Sequence, residues 1–219
     1  PTVMARHWLF RREIFVEAGG FDARFASALE FELLLRLIEQ GGMAGFGHVD
    51  EPLLITDAPI LRDNSQERLV IERHLAWRGY QGTVSAKLPG RYRINYGHQA
   101  QPLVSIIIPT KDQLPILTRC VESLLEKTRY QHYEVLIVDN NSETPEACDW
   151  LAQIESLGAD KVRVLRYPHP FNFSAINNAA AAQARGEYLV LLNNDTAIIQ
   201  EDWLDALLNH AQRPEVGIV

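Results

Sequence analysis

The 219-residue sequence is 47% hydrophobic and 22% charged, with two cysteines and a formal net charge of -7, a composition that suits one large globular domain or two small ones. A net acidic chain with interspersed charges lacks the basic footprint that neutralises phosphate backbones, which argues against nucleic acid as a partner. No apolar run approaches the ~18 residues of a membrane-spanning helix, so no transmembrane segment is expected.

In chain order, Arg11 to Ala18 reads as a short amphipathic helix stopped by Gly19-Gly20. Leu33, Leu34, Leu37 and Ile38 recur at helical spacing within Leu29 to Gln40, and Gly41-Gly42 ends that run. Glu51 to Ile55 reads as a short strand. Asn64-Ser65 is suited to cap a helix that keeps Leu69, Val70, Arg73, His74 and Trp77 to one side and stops at Gly79. Thr83-Val84-Ser85 and Tyr92-Arg93-Ile94 alternate like exposed strands around a Pro89-Gly90 turn.

From Pro102 the pattern becomes regular. Strands are predicted at Val104–Ile108, Glu134–Val138, Val162–Leu165 and Tyr188–Leu192. Helices are predicted at Leu114–Lys127, from Thr144-Pro145 to a stop at Gly158, at Ser174–Arg185 and at Asp202–Gln212. Apolar strands alternating with helices, and reading as buried on both faces, predict βαβ units around a parallel sheet. Cys120 and Cys148 cannot form a Cys-rich zinc site; each falls in an amphipathic helical pattern and is expected to be a buried, reduced thiol.

In open parallel sheets ligands bind beyond the carboxyl ends of the strands. Three such positions are polar here: Pro109-Thr110-Lys111-Asp112, Asp139-Asn140-Asn141-Ser142 and Asn193-Asn194-Asp195-Thr196. No Gly-x-Gly-x-x-Gly follows the first strand and no Gly-Lys-Ser/Thr occurs, which counts against a dehydrogenase or an NTP-hydrolysing fold. Asp139 is placed to accept a hydrogen bond from a nucleobase N–H. Asp195 and the Asn193 amide oxygen offer hard oxygen ligands for Mg²⁺ or Mn²⁺, which bind through one or two carboxylates plus substrate phosphates. A single Asp after a strand also serves as a helix cap or turn former. His48 and His169 have no ligand partner at a metal-binding spacing and read as turn or surface histidines.

The segments Val104 to Thr110, Val135 to Ser142 and Leu191 to Asp195, with Arg166 to Asn178 between them, resemble the nucleotide-sugar half of family-two glycosyltransferases with the GT-A fold. The closest subgroup is the multidomain, rhamnosyltransferase-like bacterial enzymes that build O-antigen and related polysaccharides. The resemblance implies an α/β, Rossmann-like, mostly parallel sheet flanked by helices over 102–219. It implies that Pro109 and Thr110 flank the nucleoside, Asp139 contacts the base, and Asp112 and Asn177 belong to the nucleotide site. Asn193-Asn194-Asp195 would stand at the Asp-x-Asp motif, with Asn193 in place of the first Asp and one charge fewer for the metal. Ile176 occupies a position where many relatives carry an Arg near the phosphates.

Val16 to Asp22 followed by Glu30 to Arg36 resembles the acceptor-side half of the same family. Aligned on Arg36, Glu30 takes the second acidic position of the Glu-Asp motif and Leu29 replaces the first, making Glu30 the candidate catalytic base. Glu30 and Glu32 equally read as first-turn residues complementing a helix dipole. The implied donor is a UDP- or dTDP-linked sugar, the acceptor a glycan or lipid-linked glycan, and the reaction an inverting displacement. The implied setting is cytoplasmic, peripheral to the inner membrane face. The alternatives are a non-catalytic sugar-nucleotide-binding module and a nucleotidyltransferase, though the latter's Gly-rich, basic first loop is missing from Pro109–Gln113.

The acceptor-like segment precedes the nucleotide-like segment, the reverse of a complete enzyme. The sequence also begins at Pro1 without a leader and stops at Gly217-Ile218-Val219 within what reads as a strand. The expectation is a window across a tandem protein: 1–57 closing one domain, 58–101 a small α+β connector, and 102–219 opening a second. Docking of the two pieces as one permuted unit is the alternative.

Overall fold

A computed structural model of the chain describes residues 8–49, 51, 55, 62–157 and 161–219. The body of the strand expected at Glu51–Ile55 and the stop expected at Gly158 lie outside the described residues. The chain forms two compact units, Pro1–His98 and Gln99–Val219.

In the first unit, helix α1 (Arg12–Glu17) ends in the expected turn. Gly19 and Gly20 have φ of +83° and +65°, backbone conformations that cost an L-residue roughly 1–2 kcal/mol and glycine little. The Arg36 guanidinium, on α2 (Leu29–Gly41), donates to the carbonyls of Ala18 and Gly20 and so fastens that turn to the helix. Arg36 is itself fixed by Glu32 one turn earlier at 2.7 Å, and Arg73 of α3 (Ser65–Trp77) pairs with the other oxygen of Glu32 at 2.8 Å. Glu32 is only 1% exposed. Removing one partner from such a buried ion group leaves an uncompensated charge and costs about 3–5 kcal/mol.

Asn64 caps α3 as expected, its side chain accepting from the Gln66 and Glu67 amides. The buried face of α3 differs from the expected one. Val70, Ile71 and Leu75 are buried, whereas Leu69 and Trp77 are more than half exposed. The reason is that α3 serves two neighbours: Val70 meets Ala28 and Leu35, while Ile71 and Leu75 meet Val84 and Tyr96. The latter pair belongs to the hairpin of β1 (Thr83–Leu88) and β2 (Arg91–Asn95) and the residue following it. The helix and hairpin expected as a connector therefore pack within the first unit.

Burial alone would raise the Glu32 pKa, but the two arginines outweigh it and hold the carboxyl below its ordinary value. A group with a depressed folded pKa contributes stability above its unfolded value of about 4.3 and loses it as pH falls through the folded one. The melting temperature of this unit is expected to drop on acidification below about pH 4.5, and Glu32→Gln to flatten that acid limb, as read by circular dichroism between pH 6 and 3.

The second unit is an α/β layer structure, as expected. Four parallel strands, β3 (Val104–Thr110), β4 (Tyr133–Asp139), β5 (Val162–Arg166) and β6 (Tyr188–Leu191), lie in the order β5-β4-β3-β6. The helices between and after them are α4 (Leu114–Lys127), α5 (Pro145–Leu157), α6 (Phe173–Ala181) and α7 (Trp203–Ala211). Alternation along the strands splits the core in two. Ile106, Ile108, Val135 and Ile137 pack with Leu117, Leu124, Leu151, Leu204 and Leu208 from α4, α5 and α7. Ile107, Leu136 and Val138 on the other face pack with Ile176 and Ala180 of α6. Each of these fully buried Leu or Ile side chains contributes about 1.5–3 kcal/mol.

Strand β6 departs from the expectation of burial on both faces. It is the edge strand among the described residues, and Leu189 and Leu191 are 47% and 57% exposed. Helix α6 also stops at Ala181, short of the expected Arg185. The chain beyond it is pulled onto the sheet: Glu134 accepts the Arg185 amide at 2.7 Å, and Ser105 Oγ accepts the Gly186 amide at 2.9 Å. A Cβ at residue 186 would stand 2.6 Å from the Ser105 amide nitrogen. Only glycine fits that approach.

Candidate functional site at the carboxyl end of the sheet

Strand register assembles the site. Thr110 pairs with Asp139, and Asp139 with Arg166, so three polar residues stand side by side at the ends of β3, β4 and β5. They belong to the alternation set of Ile108, Ile137 and Val164, and thus form the polar rim of the larger core layer. Asn194, in the loop after β6, donates from Nδ2 to Thr110 Oγ1 at 3.3 Å and extends the row across the fourth strand.

Asp139 is 5% exposed and not alone. Its Oδ1 accepts the Ser142 amide at 3.0 Å, and its Oδ2 accepts from Arg166 Nη1 at 2.8 Å. A carboxylate has about four lone-pair positions, so each oxygen keeps capacity for one more donor. Asn140, also buried, donates to the carbonyls of Tyr167 and His169 at 3.1 and 2.7 Å and folds the loop after β5 against the end of β4. His169 stacks edge-to-face on Tyr167, the turn role expected of it.

Asp112 clamps a loop. Its Oδ1 accepts the amides of Glu143 and Thr144 at 2.8 and 2.9 Å and the Thr144 hydroxyl at 3.1 Å. In return its own amide donates to Ser142 Oγ at 2.8 Å. Those backbone amides at the entry to α5 hold the Asp112 carboxyl below the usual carboxylate range. Asp112, Gln113 and Asn141 all have positive φ, of 52°, 50° and 60°. This backbone, costing of order 1 kcal/mol per residue, is held in place by the clamp.

The Asn193–Asp195 segment is anchored to α4. The Cys120 thiol donates to the Asn193 carbonyl at 3.7 Å, and Ser123 Oγ accepts the Ile198 amide at 2.9 Å. The side chains of Asn193 and Asp195 are exposed, and Asp195 makes no hydrogen bond or ion pair among the described residues. Burial and then the Asp195 charge push the Cys120 thiol up to about 11. Cys148, in contrast to the expectation, is exposed: Ala147 and Leu151 form the buried line of α5, and Cys148 lies at its margin. One thiol per chain is therefore expected to react with a disulfide reagent at neutral pH in the native protein and two in denaturant; Cys148→Ser should abolish the native reaction.

Asn177 is buried on α6, donating from Nδ2 to the Phe173 carbonyl at 2.8 Å, while its Oδ1 has no partner among the described residues. Ile176 beside it is fully buried in the apolar core. Pro109 is half-buried within β3. Glu30 lies in the first unit, exposed on the first turn of α2, with no hydrogen bond or ion pair among the described residues. The sheet thus brings together Thr110, Asp139 and Asn194, with Asp112 in the adjoining loop. Arg166 was not singled out from the sequence, although it ends a strand in the same way as Asp139. The Glu32–Arg36 pair has the i, i+4 spacing of a local helix pair, whereas the pairing of Glu32 with Arg73, forty-one residues away, has no local signal.

No group of three or more His, Cys, Asp or Glu able to hold a metal occurs among the described residues. The donor set at Asp195 and Asn193, one exposed carboxylate and one amide, suits a divalent ion completed by substrate phosphates and water. No helix among the described residues is long and apolar enough to cross a membrane.

Comparison with known proteins bears on what this site belongs to. The chain is 40% identical over 98% of its length to the O-antigen biosynthesis protein RfbC of Myxococcus xanthus, and 39% identical over 93% to the uncharacterized protein y4gI of Sinorhizobium fredii. It spans 17% and 24% of those two proteins. Among solved structures it is similar to the mannosyltransferase PcManGT of Pyrobaculum calidifontis in complex with GDP-Man and Mn²⁺, at 21% identity and a TM-score of 0.49, covering 54% of this chain and 35% of that one. Residues 105–219, just over half of the chain and containing the whole polar row, match the model of Glycosyl transferase family 2. The chain belongs to that family of glycosyltransferases.

Proposed function

We propose that this chain is part of an inverting glycosyltransferase that moves a sugar from a UDP- or dTDP-linked donor to a growing surface polysaccharide or its lipid-linked precursor. The observation that carries the reading is the in-register row of Thr110, Asp139 and Arg166, continued by Asn194, at the carboxyl end of a parallel sheet. Similarity to an O-antigen biosynthesis protein over 98% of the chain supports the polysaccharide assignment.

In this reading Pro109 and Thr110 flank the nucleoside and Asp139 meets the base. Asp112 shapes the loop over the site, and Asn177 contributes from α6. Asp195, with Asn193, would hold Mg²⁺ or Mn²⁺, which supplies positive charge to a departing diphosphate. The acceptor oxygen attacks the anomeric carbon as the bond to the diphosphate oxygen breaks, and a carboxylate on the acceptor side takes the hydroxyl proton. Glu30 fills that last role in a site made by the first unit, while Asp139 and Asp195 serve a second site of the same kind. The segments 1–57, 58–101 and 102–219 are then an acceptor part, a connector whose helix and hairpin pack within the first unit, and a nucleotide part, and the setting is the cytoplasmic side of the membrane.

Calorimetric titration of the purified chain with UDP and dTDP, with and without Mn²⁺, tests the reading. Saturable binding strengthened by Mn²⁺ is expected. Absence of binding to either nucleotide removes the nucleotide site. Binding by the longer parent protein without sugar transfer or hydrolysis favours a non-catalytic module.

A further inference from the structure

The Arg166 guanidinium is 48% exposed, yet it is fixed by an ion pair to a carboxylate that is 7% exposed. It spends one N–H on Asp139 Oδ2, and its remaining N–H groups have no partner among the described residues. A guanidinium free to move would be hydrated and mobile; this one is held beside a buried acceptor that still has open lone pairs. The pairing of Asp139 with Arg166 across β4 and β5 fixes their spacing through backbone hydrogen bonds. The result is a rigid edge presenting an acceptor next to a donor at the point where the strands end.

We propose that Arg166 is a base-specificity residue, and that the Asp139–Arg166 edge reads the imide of a uracil or thymine ring: Asp139 accepts N3–H and Arg166 donates to the C4 carbonyl. This rests on the nucleotide-sugar reading above. In the same register cytosine opposes an N–H₂ group to the guanidinium and a lone pair to the carboxylate, two mismatches with desolvated polar groups left unpaired. The guanidinium fork fits a carbonyl oxygen while remaining bonded to the carboxylate, which a lysine point charge does not reproduce. The positive charge of the site then sits at the base end of the row and not at residue 176, which is an isoleucine buried in the core.

The test compares UDP, CDP and ribose 5-diphosphate, which lacks a base, on the wild-type chain and on Arg166→Met and Arg166→Lys. Wild type is expected to prefer UDP to CDP by about tenfold or more, in line with the penalty for an unmade charged hydrogen bond. Arg166→Met is expected to lower UDP affinity about tenfold, to narrow the UDP to CDP ratio to what the Asp139 mismatch alone sustains, and to leave ribose 5-diphosphate unchanged. Arg166→Lys, which keeps a cation beside Asp139, is expected to melt at the wild-type temperature and still show the narrowed UDP to CDP ratio. A Lys variant with the wild-type UDP to CDP ratio overturns the proposal. So does a parallel loss of UDP and ribose 5-diphosphate in the Met variant, which makes Arg166 a phosphate ligand, or no loss at all; in both cases the nucleotide site itself stands. Failure of the wild-type chain to bind any of the three removes the nucleotide reading and this proposal together.

Discussion

Glu134→Ala is expected to destabilise the second unit by about 3–5 kcal/mol, a large part of the stability of a domain this size. Glu134 is 3% exposed in the middle of the sheet's amino-terminal end. One oxygen accepts from Ser105 Oγ at 2.8 Å and from the Arg185 amide at 2.7 Å; the other pairs with Arg163 at 3.0 Å. Burial alone would raise its pKa, and these donors reverse that, holding the carboxyl below its ordinary value. The carboxylate therefore joins β3, β4, β5 and the turn into β6 through one side chain. Removing it leaves the Arg185 amide and the Ser105 hydroxyl proton without an acceptor and Arg163 with only the Gln183 carbonyl at 3.1 Å, and an unsatisfied buried donor costs about 1–3 kcal/mol. Urea unfolding followed by far-ultraviolet circular dichroism measures the loss. Removing the stranded cation as well, in Glu134→Ala with Arg163→Met, should recover part of it; a single variant within about 1 kcal/mol of wild type would show the network to be dispensable.

Asp195→Ala is expected to remove the Mn²⁺-dependent part of UDP binding. If Mn²⁺ bridges Asp195 to the diphosphate, the wild-type chain gains about a hundredfold in UDP affinity on adding the ion, or ~2.7 kcal/mol. The variant should bind UDP with the same affinity with and without Mn²⁺. Its fold should be unaffected, because Asp195 is exposed and takes part in no described hydrogen bond or ion pair. The Cys120 thiol provides an internal check: without the Asp195 charge its elevated pKa falls, so its titration moves to lower pH even with no ligand present. An Asp195→Ala chain that keeps the full response to Mn²⁺ would rule out Asp195 as the metal ligand.

Much of the second unit is legible in the sequence because its signals are local. Ile106–Ile108 and Val135–Val138 are unbroken apolar runs, and α4 has the boundaries its apolar spacing and terminal residues imply. Asp139 and Asn194 stood out because they directly follow such runs. The first unit was less readable. Its helix α3 divides its apolar residues between two partners, so a single helical period selects the wrong face and puts Leu69 and Trp77 inside. The exposure of Cys148 and of the β6 side chains likewise depends on what packs beside them.

Sequence by itself determined the order of strands and helices, the polar residues at strand ends and the family, since each is written in short-range pattern: alternation, caps, and motifs next to apolar runs. Only the tertiary structure decided which of those polar residues meet. Arg166 is twenty-seven residues from Asp139 and Glu134 fifty-one from Arg185, separations over which sequence pattern carries no register. It is the hydrogen-bonded alignment of β4 with β5 that sets a guanidinium beside a buried carboxylate, and so turns a lone aspartate into a paired donor–acceptor edge.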